Sequence, residues 1–426
     1  MVANFSVEST KEFLTSRSGL AFLGEYLDKL GFSGLVDTKL PKPGSNKGIS
    51  PSSYVSSLIM MLHAGGQYLE DVRLLRDDKG LLRLLNIKVP SADAVGDWLR
   101  RIGNQSHAML GLTRVNNELL NQHLSTHKAG GELTLDIDAT AIESGKQSAV
   151  YTYKGFTGYM PIVGHVDQFV VAEEFRAGNV APAANNLEFI KTCLLQMPEA
   201  HPITAIRADS ASYQADILNF CHNNKLKYAI GGKMTASLEE EIKAISIKDW
   251  QNYIDKYGVE TDRQVSAISW TMDKTNHPFT IVVIRSKPEN EDLLNRNTYH
   301  YHIVATNITD KDNNQLLQWY SQRGEDSENR IKELKSGFAM EYMPCASFEA
   351  NAAFFRIGTI AYNLSLLFRS RVLDGKWANA QIKTIRLYIY QVPAKIIRKA
   401  RSIVLKTTQE AVEIFRLLRL NMTMRT

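Results

Sequence analysis

The spacing of apolar residues changes twice along this chain. Through residues 1–128 they recur every three to four positions, the spacing of helices that bury one face. Residues 20–30 form one such segment. A second opens with Ser50 as N-cap and Pro51 in the first turn, and carries Tyr54, Leu58, Met61 and Leu62. A third starts at Ser91, with Val95, Trp98, Leu99 and Ile102 on one face and Arg100 and Arg101 beside it. The Pro-, Gly-, Ser- and Lys-rich stretch 41–48 separates the first two. Short helices with basic edges suit a helix-turn-helix type DNA reader, and any small helical bundle gives the same pattern.

After Gly130 and Gly131 the period becomes two. In ELTLDIDAT (132–140), Leu133, Leu135 and Ile137 alternate with Thr134, Asp136 and Asp138. Further strands are predicted at 149–154 and 159–172, joined by a turn at 155–158, then at 203–208 and 226–231. Helices are predicted at 186–196 and 213–222. Three strands, helix, strand, helix, strand predicts a mixed sheet flanked by helices. The pattern then breaks. Runs rich in β-branched and aromatic residues at 264–272, 279–285 and 299–306 read as a β-rich insertion over 236–306. Helix returns at 314–334 and 348–368.

Composition narrows the class. At 426 residues, with 44% hydrophobic and 22% charged positions, the chain is an ordinary folded protein of more than one domain. No run of eighteen apolar residues predicts a membrane span. Glu8, Lys11, Glu12 and Glu25 interrupt the first thirty residues, so no secretory signal is expected and a cytoplasmic protein is. Cys193, Cys221 and Cys345 are far apart and never in a CxxC pair, which excludes a disulfide framework or thiolate zinc site. Charge is uneven. From Ser365 onward there are 13 Lys/Arg and 3 Asp/Glu, net +10; the rest has 37 against 42, net −5, giving +5 overall. A basic tail suits a polyanion such as DNA, and a solvated basic face is the plainer reading.

Three carboxylates stand out. Asp138 projects from the first strand between apolar neighbours, where a buried carboxylate needs a partner and an edge-strand one does not. Asp209 directly follows the apolar strand ITAIRA, the strand end at which α/β sheets gather catalytic groups, and is equally placed to cap the next turn. Glu328 lies in WYSQRGEDSENRIKELK, where a helix aligns it with Ile331 and Lys335; a salt-bridged surface helix looks the same. Together they form a set able to hold two divalent ions about 3.5–4 Å apart. Hard oxygen donors select Mg²⁺ or Mn²⁺. His300 and His302 share a strand face without a third ligand. Gly231-Gly232-Lys233 lacks the earlier glycine of a nucleotide loop.

With these residues in view, the sequence resembles bacterial insertion-sequence transposases of the DDE type, over roughly residues 130–370, in the group with a β-insertion between the second Asp and the Glu. Asp138 with Thr140 looks like the family's first Asp, and Asp209 like the second. Tyr320, Arg323, Glu328 and Lys335 look like its Tyr–Arg–Glu–Lys signature. Two residues separate Tyr320 from Arg323, and six separate Glu328 from Lys335, as in the signature. Four separate Arg323 from Glu328 where the signature has three, which keeps Glu325 open as the third carboxylate.

The resemblance implies an α/β fold: a ribonuclease-H-like catalytic domain (129–235 and 307–370) interrupted by the insertion (236–306). A helical DNA-binding region (1–128) precedes it and a basic region (371–426) follows. It further implies a Mg²⁺- or Mn²⁺-dependent enzyme that cuts the ends of a DNA element and joins them to target DNA, acting as a homodimer on paired ends. Tyr320, Arg323 and Lys335 would contact DNA. Trp270 would stack on a displaced base, although a strand Trp is more often core. Arg398, Lys399 and Arg401 of the tail would bind DNA or a second subunit. A nuclease that cuts without joining, and a DNA-binding protein derived from a transposase, are the alternatives.

Overall fold

In the computed structural model the described residues are 3–85, 87–288, 299–324 and 328–424. The chain is a mixed α/β protein that divides into two compact units. Among the described residues, no helix is long and apolar enough to cross a membrane.

One unit comprises Leu120–Gly145 and Ala149–Lys332. Its frame is a nine-stranded sheet of β1 (Leu133–Ala139), β2 (Ile162–Val166), β3 (Phe169–Glu174), β4 (Ile203–Ala208), β5 (Lys227–Gly231), β6 (Gln251–Ile254), β7 (Glu260–Trp270), β8 (Phe279–Ser286) and β9 (His300–Thr306). The spatial order is β6-β7-β8-β9-β5-β4-β1-β2-β3. The central β1, β4 and β5 run parallel; all other neighbours are antiparallel. Parallel strands are covered on both faces, which is why β4 and β5 read as apolar runs.

Helix Asn186–Gln196 connects β3 to β4 and buries Phe189, Ile190 and Cys193. It comes close to the sheet at Gly164 of β2. A Cβ there would sit 2.6 Å from Cys193 Sγ, so the position needs glycine. Helix Ala215–Asn223 connects β4 to β5. The strands β6–β9 extend the sheet. Val265, Val282, Val304, Ala229, Ile308, Leu316 and Leu317 make a core there beneath helix Asn313–Gln322. The side chains of Asp312 and Gln315 form a capping box at that helix's start.

Two elements differ from their sequence reading. The strand expected at 159–172 is split into the hairpin β2–β3, turning at Asp167 in the left-handed region (φ 54°). Apolar residues crowd both sides of the turn, and Asp takes positive φ without the Asn-Gly or Asp-Gly pair that announces a hairpin. Part of the turn expected at 155–158 is a short strand, Thr157–Tyr159, between Ile142–Glu143 and Val150–Tyr151. By contrast, the described residues of the helix expected over 314–334 are helical, at Asn313–Gln322 and Glu328–Lys332, and run on into a π-helical turn, Glu333–Gly337. Glu325 lies outside the described residues.

The other unit comprises residues up to Leu119, Lys146–Ser148 and the chain from Glu333 onward. Helix Phe348–Arg371 is buried nearly all round because neighbouring helices, Pro51–Ala64 and Ala92–Gly103 among them, enclose it. Ser50 and Ser91 cap these two helices, accepting from the Ser53 and Ala94 N–H groups. The basic C-terminal segment is built into the same unit. Strand Phe13–Thr15 pairs with Ala394–Lys399, which forms a hairpin with Ser402–Lys406.

Candidate active site

Register brings the first two carboxylates together. On adjacent parallel strands Ile137 pairs with Ala208. Asp138 and Asp209 are the next residue on each, at the carboxyl ends of β1 and β4. Both are partly buried. Burial pushes the Asp138 carboxyl up to about 6, and the Asp209 charge adds to it; Arg323, the Ala139 N–H and Lys154 act in the opposite direction. Asp209 also caps: its Oδ1 accepts from the Ala211 N–H at 3.0 Å, at the start of the turn Ser210–Ser212. Capping is thus one role of Asp209, and it engages one oxygen of the carboxylate.

Tyr320 and Arg323 reach the same place from helix Asn313–Gln322 and the residue that ends it. The Tyr320 hydroxyl donates to the Ala208 carbonyl at 3.4 Å. A Cβ on residue 231 would sit 2.7 Å from that hydroxyl, so Gly231 makes room for it. Burial opposes the Arg323 charge most, yet Tyr320, Asp138 and Asp209 together leave its guanidinium held more firmly protonated than usual. Arg323 lies within 6.0 Å of the Tyr320 ring centre. His302 of β9 is kept neutral by burial and by Arg323, and its ring centre lies 6.3 Å from that of Tyr320.

Asp136, on the same face of β1, has a different job. It is 2% exposed and makes a bidentate pair with Arg207 of β4 (Nε–Oδ1 and Nη2–Oδ2, both 2.8 Å). Arg330 adds a third contact at 3.1 Å. Arg207 Nη1 donates to the Trp319 carbonyl at 2.6 Å and to Gln322 Oε1 at 3.1 Å. One buried cluster thus ties β1, β4, helix Asn313–Gln322 and helix Glu328–Lys332 together. Its carboxylate is engaged by two guanidinium groups, so Asp136 holds the frame. Sequence reasoning passed over Arg207 and Arg330. The signal was present in Arg207: an arginine inside an apolar strand must have a buried partner.

The remaining candidates lie on other elements. Glu328 belongs to helix Glu328–Lys332, which Arg330 anchors to β1 through Asp136. Lys335 lies on the turn Glu333–Gly337, in the other compact unit. Trp270 ends β7, partly buried and paired across to Phe279. Stacking in these outer strands centres instead on Arg285, whose guanidinium lies 3.9 Å from the Trp250 ring centre and 4.3 Å from that of Tyr299. Arg398, Lys399 and Arg401 are exposed about the tip of the C-terminal hairpin, with Ala400 at φ 47°.

Comparison with the curated proteins finds no match. The family model for the transposase DDE domain, group 1, matches residues 3–425. With a match over essentially its whole length, and two aspartates side by side at the ends of adjacent parallel strands, this chain belongs to the DDE transposases of insertion sequences.

Proposed function

We propose that the chain cuts the ends of an insertion sequence and joins them to target DNA by phosphoryl transfer, on a ribonuclease-H-like scaffold. In this reading 129–235 and 307–370 form the catalytic domain and 236–306 its β-insertion. Residues 1–128 and 371–426 hold DNA, and two copies act on paired ends in the bacterial cytoplasm. The observation that carries it is the convergence of Asp138, Asp209, Tyr320 and Arg323 in a chain of this family.

The donor set fits a hard divalent cation. Two partly buried carboxylates repel each other, Asp138 holds its proton up to about 6, and a cation relieves both penalties. Asp138, Asp209 and Glu328 would hold Mg²⁺ or Mn²⁺. Bound there, the ions supply Lewis-acid activation of a water or a 3′-hydroxyl and charge relief at the leaving oxygen. The chain's own groups do the rest. Arg323 neutralises a phosphate oxygen that approaches the aspartates, and its fork fixes that phosphate's orientation. Tyr320, braced on the Ala208 carbonyl, bounds the space open to the DNA end. Lys335 offers a point charge to a neighbouring phosphate, Trp270 an aromatic face, and Arg398, Lys399 and Arg401 backbone contacts. The Asp136–Arg207–Arg330 cluster keeps the two aspartate-bearing strands in register.

The test is cleavage of a DNA fragment bearing the element's ends, with and without Mg²⁺, by the wild type and Asp209→Asn. Metal-dependent cutting that the variant loses is expected, and equal cutting by both overturns the assignment of Asp209. Supplying a 3′-hydroxyl end and a target then asks for joining. Cutting without joining turns the reading to a plain nuclease.

A further inference from the structure

A second cluster of ligand type lies apart from the aspartates. His123 sits at the end of helix Ser106–Leu124, and His127 follows four residues later. Asp167 occupies the β2–β3 turn. One ligand atom from each lies within 4.8 Å of the others. His127 Nε2 is 3.0 Å, and His123 Nε2 3.8 Å, from the same oxygen, Asp167 Oδ2.

The chemistry of these contacts suits a cation between the three side chains. His127 Nδ1 lies 3.3 Å from the His123 carbonyl, which only accepts, so a hydrogen bond there uses the tautomer protonated at Nδ1. In the neutral ring Nε2 then presents a lone pair to a carboxylate oxygen, two acceptors 3.0 Å apart. That arrangement is repulsive unless a proton or a metal ion lies between them. His123 Nε2 is itself buried without a hydrogen-bond partner. Its ring is held by stacking on Phe169 (centres 4.9 Å apart, planes 20°), which aims the nitrogen at the same oxygen.

We infer that His123, His127 and Asp167 bind one zinc-type dication, with water as the fourth ligand. Tetrahedral zinc with bonds of about 2.0–2.1 Å sets its donor atoms about 3.3 Å apart, between the two separations observed here. The mixed imidazole–carboxylate set favours zinc over magnesium, and the carbonyl on His127 Nδ1 is the outer partner that fixes a ligating tautomer. The ion ties the helix end that leads into β1 to the β2–β3 hairpin, and so braces the strand that carries Asp138. This inference is independent of the catalytic reading.

The experiment is zinc retention by the chelator-treated full chain, with Co²⁺ substitution as a spectroscopic readout. Wild type and Asp209→Asn are expected to hold one equivalent of Zn²⁺ through dialysis, and to give the visible bands of tetrahedral Co²⁺. Asp167→Asn and His127→Gln are expected to lose those bands and bind at least about 100-fold more weakly, the upper end of what loss of even an outer partner costs. Asn tolerates the left-handed turn, so Asp167→Asn tests the ligand without disturbing the hairpin. Unchanged zinc affinity in both ligand variants overturns the proposal. So does a wild type that takes up no zinc, since the cluster is then bridged by a proton alone.

Discussion

Replacing Arg207 with methionine tests whether the buried cluster beneath the aspartates holds the sheet together. Arg207 is 7% exposed and makes four hydrogen bonds, two to Asp136 and one each to the Trp319 carbonyl and Gln322. Arg207→Met fills similar space but leaves Asp136, 2% exposed, with Arg330 alone. Removing one partner of a buried pair costs about 3–5 kcal/mol, because the other charge stays desolvated and undercompensated. Adding Asp136→Leu takes that charge away. No desolvated carboxylate then remains, so the double variant should recover at least ~1 kcal/mol relative to Arg207→Met. Urea unfolding read by tryptophan fluorescence suits the measurement, since Trp319 lies under the guanidinium, 5.1 Å from its ring centre. A cost below ~1 kcal/mol for Arg207→Met refutes the reasoning, as does a double variant less stable than the two single changes combined.

Gly231→Ala should impair DNA cleavage and cost about 1–3 kcal/mol, because the new Cβ collides with the Tyr320 hydroxyl. Adding Tyr320→Phe should restore the stability, and no recovery would show that the clash lies elsewhere. Burial holds His63 and His165 neutral, each lowered to about 3, so between pH 6.5 and 3 the folded chain binds fewer protons than the unfolded one. Stability is therefore expected to fall as pH drops below 6.5, by about 2 kcal/mol per histidine at pH 5, in pH-dependent urea unfolding. Neither ring nitrogen of His165 has a hydrogen-bond partner among the described residues, so His165→Leu should remove its share of that slope, and an unchanged slope counts against it. As a ligand in the proposed metal site Asp138 would exchange its proton for the cation, so Mn²⁺ affinity by electron paramagnetic resonance should weaken about tenfold per pH unit below 6 and level off above it. A flat profile between pH 5 and 7 would remove Asp138 from the ligand set.

The sequence by itself determined most of the elements that frame the site. Apolar runs marked β4 and β5, alternation marked β1, and Ser50 and Ser91 marked helix starts, because each of these signals is local: a few neighbouring residues fix hydrogen bonding and which side is buried. Asp138 and Asp209 were visible for the same reason, as carboxylates at the ends of such runs. Tertiary structure decided which partners they meet. Register between β1 and β4, across 71 residues of chain, sets Asp138 beside Asp209 and gives Asp136 to Arg207, although Asp136 and Asp138 share one face of one strand. The β2–β3 turn was hidden because Asp167 makes it without glycine, and with it went the residue that brings a carboxylate to His123 and His127. A pattern along the chain carries the period of burial. Distances between side chains far apart in sequence come from strand pairing and packing, and the chemistry of this site depends on those distances.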